Sequence, residues 1–189
     1  MKEHVRRIVQ AASFAINKIG RLRRFLDSTS TERLVHAFVS SRLDYCNSLL
    51  YGLPSSEIDK LQRVQNSAAR LVTCVRKCDP IKPVLHELHW LPVRERIIYK
   101  IALLTYKALH GMAPSYIAEL LSECNPSRNL RSSSQCFLQR LPSVCTSHYS
   151  DRSFSVAAPT VWNDLPRHIR TSTSVNSLKT SLKTYLFQN

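Results

Sequence analysis

Residues 2–26 read KEHVRRIVQAASFAINKIGRLRRFL. Val5, Ile8, Val9, Ala12, Ile16 and Ile19 recur at helical spacing and share one face. Arg6, Gln10, Ser13, Asn17, Arg21 and Arg24 fall on the opposite face, and Arg7 and Lys18 flank it. A strand cannot produce this pattern, because its faces alternate with period two. A helix apolar on one side and basic on the other must bury its apolar stripe against other elements. The chain has only three glycines in 189 residues. Tight hairpins need glycine at positive φ, so a many-stranded sheet is disfavoured. Together these features predict an all-α fold, a bundle of about six helices.

Outward from that helix, Asp27-Ser28-Thr29-Ser30 breaks the pattern. Thr29 with Glu32 has the capping-box spacing that opens a second helix. Its expected buried stripe is Val35, Phe38, Val39, Cys46, Leu49 and Leu50, ended by Gly52 and Pro54. A third helix follows Ser55 or Ser56, with Ile58, Leu61, Val64, Ala68, Val72 and Val75 inside, and stops at Asp79-Pro80. Ile81 to Leu88 reads as a short helix. Pro92 suits the first turn of a longer one that runs to His110 and is capped by Gly111. Ile97, Ile98, Ile101, Leu103, Leu104, Ala108 and Leu109 cover most of its circumference, the mark of a central helix. Another short helix starts near Pro114.

Serine, arginine, asparagine and proline dominate from about Cys124 to Ser150, which reads as a long loop or partly disordered linker. The patch from Phe154 to Trp162 is a short strand or a turn of helix. A last helix begins near Ser174, with Val175, Leu178, Leu182, Tyr185 and Leu186 on one face. The expected organisation is therefore a helical domain over 1–122, a linker over 123–150, and a terminal segment over 151–189. Trp90 and Trp162, each beside a leucine-proline step, are expected to pin loops onto the core.

The formal net charge is +14 and the pI about 9.9. Such an excess attracts polyanions, nucleic acid first and an anionic membrane surface second. The amino-terminal stretch is charged and lacks the apolar region of a secretory signal. No apolar run has the length that spans a bilayer. These features predict an intracellular protein, nuclear or cytoplasmic, whose six cysteines are reduced thiols. The basic face of the first helix is the candidate binding site, with Arg6, Arg7, Lys18, Arg21, Arg23 and Arg24 as phosphate contacts. Cations at a helix C-terminus also suit the macrodipole, so part of this cluster has a purely stabilising reading.

Catalytic patterns are missing. Polymerases hold two divalent metals with closely placed aspartates, yet Asp27, Asp44, Asp59, Asp79, Asp151 and Asp164 are scattered. There is no G-x-S-x-G, no P-loop and no G-x-G-x-x-G, so neither an enzyme nor a small-molecule substrate is expected. Cys74, Cys78, His86 and His89 have zinc-ligand chemistry in a C-x3-C-x7-H-x2-H spacing. The intervals are shorter than in common zinc fingers, and the cysteines end a helix whose apolar side can bury them. The reading is no metal and no cofactor.

Five segments resemble blocks of non-LTR retrotransposon reverse transcriptases, LINE elements of the chicken-repeat type, in the same order. They are Ser41 to Pro54 (SRLDYCNSLLYGLP), Leu61 to Val72 (LQRVQNSAARLV), Leu88 to Val93 (LHWLPV), Tyr106 to Tyr116 (YKALHGMAPSY) and Arg152 to Pro166 (RSFSVAAPTVWNDLP). In that family these blocks follow the catalytic palm, and the first helix would correspond to the thumb beside the template–primer duplex. The resemblance implies a non-catalytic carboxy-terminal region of an RNA-directed DNA polymerase. Its expected partners are RNA or an RNA–DNA duplex and other parts of the parent enzyme. The family's paired palm aspartates and its endonuclease have no counterpart here. The alternative is a co-opted protein-interaction module, or a decayed copy without function.

Overall fold

Val5, Ile8, Ala12 and Ile19 are buried along one side of helix α1 (Lys2–Leu22) in a computed structural model of the chain, and a 3-10 turn over Arg23–Phe25 comes next. The structure describes residues 1–122, 124, 137–140 and 152–188. The expected linker at 123–150 lies mostly outside them. Among the described residues the fold is all-α, with helices accounting for 74%. Packing divides the chain into two units, Met1–Arg96 and Ile97–Asn189, where the sequence reading groups 1–122.

In the first unit, α1 lies against α4 (Ser55–Thr73). α4 buries Ile58, Leu61, Val64, Ala68, Ala69 and Val72. Each large apolar side chain buried this way contributes about 1.5–3 kcal/mol. Between them, α2 (Ser28–Val35) opens with Asp27 as its cap, not Thr29. The Asp27 carboxylate accepts from the Ser30 N–H at 3.3 Å, and the capping-box pair is not used. α2 then passes through a π turn (His36–Ser40) into α3 (Ser41–Asp44).

The π turn corrects the second expected helix. Val35, Val39 and Leu50 are buried, but Phe38, Cys46 and Leu49 are exposed. The wider turn moves the buried stripe to Val35, Val39 and Leu43 and leaves Phe38 outside it, whereas Cys46 and Leu49 lie beyond the helix end. Helix formation stops at Asp44, and Cys46 takes a left-handed conformation (φ 51°) before a 3-10 turn over Asn47–Leu50. α4 also ends six residues before Asp79-Pro80, at Thr73, because Cys74 is left-handed (φ 58°).

Polar side chains hold the next turn. α5 (Ile81–Glu87) leads through Trp90, which is buried beside the His36 ring, into α6 (Val93–Leu109). Gln65 of α4 donates to the Leu91 carbonyl at 2.8 Å. Gln62 accepts from the Val93 N–H at 2.8 Å and so caps α6 from another helix. Arg96 donates to Leu91 O and, at 2.9 and 3.0 Å, to both carboxylate oxygens of Asp44.

In the second unit, Ile97, Ile101, Ala102, Thr105, Tyr106 and Ala108 of α6 are buried, and Gly111 beyond its end is left-handed at φ 64°. A short helix, α7 (Ser115–Ala118), comes after it. The apolar patch near the end forms α8 (Phe154–Asp164), a helix that carries Pro159 inside. Trp162 therefore sits in a helix rather than pinning a loop. It packs tilted against Tyr106, whose hydroxyl donates to the Ser172 carbonyl at 2.9 Å. Beyond α9 (Arg167–Arg170), α10 (Val175–Gln188) buries Leu178, Leu182 and Leu186. Asn163 brackets Leu138, accepting its N–H at 2.9 Å and donating to its carbonyl at 2.8 Å.

The two caps carry separate expectations. Gln62→Ala is expected to cost about 1 kcal/mol in denaturant unfolding, the value of a lost N-cap, and Gln62→Glu, which keeps an acceptor near a helix N-terminus, to recover most of it. Hydrogen bonding from Ser30, chiefly its side chain and then its backbone, holds the Asp27 carboxyl below its ordinary value of 3.8. A lowered folded-state value means the cap's contribution is complete above 3.8 and fades as pH falls through the folded value. Melting temperatures of the native chain and Asp27→Asn, compared from neutral pH downward, should differ in acid slope, with the shallower slope in the variant.

Candidate nucleic-acid interface

A cation binds phosphate only if its side chain reaches solvent and is not already used. Between Lys2 and Phe25 the chain carries seven Lys and Arg and one carboxylate, Glu3. Arg6, Arg7, Lys18, Arg21 and Arg24 are exposed, whereas Arg23 is half-buried.

The exposed cations fall into two groups. Arg6 and Arg7 stand near the start of α1, with their Nε atoms 3.6 and 3.3 Å from Glu3. Exposed pairs of this kind are weak, about 0–1 kcal/mol, so Glu3 orders both arginines without removing them from solvent. Lys18, Arg21 and Arg24 stand at the other end. At 1.5 Å per residue, Arg7 and Arg21 are about 21 Å apart along the axis.

Arg23, also expected as a phosphate contact, belongs to neither group, because its guanidinium is turned onto backbone carbonyls. Its Nε donates to Leu71 O at 3.1 Å, Nη2 to Val72 O at 3.3 Å and Nη1 to Leu26 O at 2.7 Å. The first two are terminal carbonyls of α4, left without helical donors because Cys74 turns left-handed. Ser28 Oγ also reaches Val72 O, at 3.4 Å. A guanidinium at a helix C-terminus is favoured by the macrodipole as well. Arg23 caps α4 from outside.

Two residues that the basic pattern alone passes over stand among the cations. Phe14 is 64% and Phe25 72% exposed. Arg7, Phe14, Lys18, Arg21 and Phe25 are spaced by seven, four, three and four residues, which is one helical face. Lys18 Nζ lies 5.2 Å from the centre of the Phe14 ring, and Arg24 Cζ lies 4.6 Å from that of Phe25. The sequence does carry a signal for them: both phenylalanines fall off the apolar stripe and in register with Arg7 and Lys18.

Elsewhere the acidic and thiol groups do other things. Asp44 holds Arg96, Asp79 accepts from the Arg76 N–H and Asp164 pairs with Arg140. Asp151 lies outside the described residues. Cys74 and Cys78 are exposed, Cys78 with its thiol 3.8 Å from Asp79. Among the described residues no three His, Cys, Asp or Glu side chains converge on a point where a metal ion would sit. No helix among them is long and apolar enough to cross a membrane.

Adjacent arginines should therefore behave differently. Arg23→Ala is expected to lower stability by about 1.5–3 kcal/mol, the scale for hydrogen bonds to a charged group. Arg24→Ala should stay within about 0.5 kcal/mol. Urea unfolding of the two variants checks this, and equal effects would remove the capping role.

Comparison of the chain with protein-family models, with curated proteins and with solved structures finds no match. The interface rests on its own geometry and chemistry.

Proposed function

We propose that this chain is a non-catalytic, carboxy-terminal polymerase region that binds nucleic acid through the exposed face of α1 and the turn after it. The observation that carries the reading is the ladder of exposed cations, Arg7, Lys18 and Arg21, with Arg6 and Arg24 beside it and only Glu3 within α1 and Asp27 just past the turn as carboxylates. Each cation that meets a phosphate releases condensed counterions, which gives affinity without reading sequence. The five blocks that resemble non-LTR retrotransposon reverse transcriptases supply the context, a thumb-like helix working beside a template and primer in the parent enzyme. The scattered aspartates support a binding role rather than nucleotidyl transfer.

A second reading, an apolar contact surface for another protein, draws on Phe38, Tyr45 and Leu49, which are 51%, 69% and 52% exposed. Salt separates the two, since phosphate contacts weaken with salt and apolar contacts persist.

The test is fluorescence anisotropy of the full chain with a labelled RNA across about 50–200 mM salt. The native chain should lose affinity linearly in log–log form. A Lys18→Glu, Arg21→Glu, Arg24→Glu triple variant should reduce the slope by about two to three, the loss of three phosphate contacts. It leaves Arg23 in place, so its melting temperature should be unchanged. Unchanged affinity and slope in a folded triple variant would sink the assignment.

A further inference from the structure

The cationic ladder explains phosphate attraction but not the two phenyl rings set into it. We infer that this face takes unpaired nucleotides, with Phe14 and Phe25 as stacking platforms. The inference rests on the phosphate-binding reading and assigns the face to an unpaired strand rather than to the duplex beside which a thumb works.

A phenyl ring has no donor or acceptor, so it can neither hold a phosphate nor read the hydrogen-bonding edge of a base. It can stack on a base, and only a base out of a duplex offers its face. Phe14 and Phe25 are not overflow from the core, since α1 already buries Val5, Ile8, Ala12 and Ile19 on its other side. They are also not isolated. Each has a cation over one face of its ring, Lys18 for Phe14 and Arg24 for Phe25, so a base stacks on the opposite face or displaces the flexible cation toward its own phosphate. Alternation of aromatic and basic groups along a line is the arrangement that single-strand binding uses.

Spacing sets the length of strand that fits. Phe14 and Phe25 are eleven residues apart, roughly 16–18 Å along the helix and its 3-10 extension. Stacked nucleotides advance about 3.4 Å along a strand. Both rings are thus engaged together by a stacked strand of about six nucleotides or more. Arg21 falls between them on the same face, placed for the intervening phosphates.

The experiment uses the full chain and three probes at one salt concentration: an unstructured 12-nucleotide RNA, the same RNA paired with complementary DNA, and a 3-nucleotide RNA. The single-stranded 12-mer should bind at least about tenfold more tightly than the duplex or the 3-mer. Phe14→Ala with Phe25→Ala should lose about tenfold or more on the 12-mer and change duplex binding less than about twofold. Phe14→Leu with Phe25→Leu keeps an apolar surface without an aromatic face, and should lose as much. Phe14→Trp with Phe25→Trp should keep affinity and show quenching of indole fluorescence by the 12-mer. Equal binding of single strand and duplex, still sensitive to Lys18→Glu, Arg21→Glu, Arg24→Glu, would overturn the stacking inference and leave the phosphate reading standing. Retained 12-mer affinity in the leucine pair would also overturn it. If no probe binds, both readings fail.

Discussion

The carbonyls of Leu71 and Val72 end α4 with no helical donors ahead of them, and the Arg23 guanidinium answers both. Much of the first unit depends on that contact. A helix end left without partners away from water is expensive, and the left-handed Cys74 removes the usual continuation. Arg23 supplies the missing donors from the last turn after α1 and uses its remaining nitrogen on Leu26. One side chain therefore ties the end of α1, the entry to α2 and the end of α4. It also fixes the direction of its neighbours. With Arg23 turned inward, Arg24 and Phe25 are left on the surface.

The same matching of polar groups to backbone runs through the turn before α6. Gln62 and Gln65 belong to one of the blocks that resemble retrotransposon sequences, and the Leu91 and Val93 backbone that they hold belongs to another. Asp44, from a third block, meets Arg96 just past the second. Gln62 and Gln65 answer backbone groups of the turn, and Asp44 steadies the Arg96 side chain that answers another. Their pattern is explained by packing alone, so the blocks speak to architecture more directly than to chemistry. The surface face of α1 stands outside all of them.

Much of this is legible in sequence for simple reasons. A 3.6-residue period fixes which side of α1 and α4 is inside, and Val5, Ile8, Leu61 and Val64 are where the period puts them. Glycine after α6 and serine before α10 mark boundaries by local chemistry. Other features leave no local trace. The π turn at His36–Ser40 and the left-handed Cys46 have no diagnostic residue, so an unbroken helical count puts Phe38 and Leu49 in the core. Arg23 and Arg24 are identical neighbours in sequence, and only the distant end of α4 distinguishes a cap from an exposed cation. Phe14 and Phe25 are visible but silent, because an aromatic residue reads as core until its register is compared with the charges around it.

Scarce glycine leaves other residues to turn the corners. Cys46, Cys74 and His89 adopt positive φ where glycine is the usual choice. A side chain in that conformation carries about 1–2 kcal/mol of steric strain. Each corner lies just past a helix, at Asp44, at Thr73 and at Glu87. Amide hydrogens of central α1 and α4, under a buried apolar seam, exchange only with the deepest openings of the unit. Each corner of the first unit holds stability in reserve, since glycine there would relieve the strain.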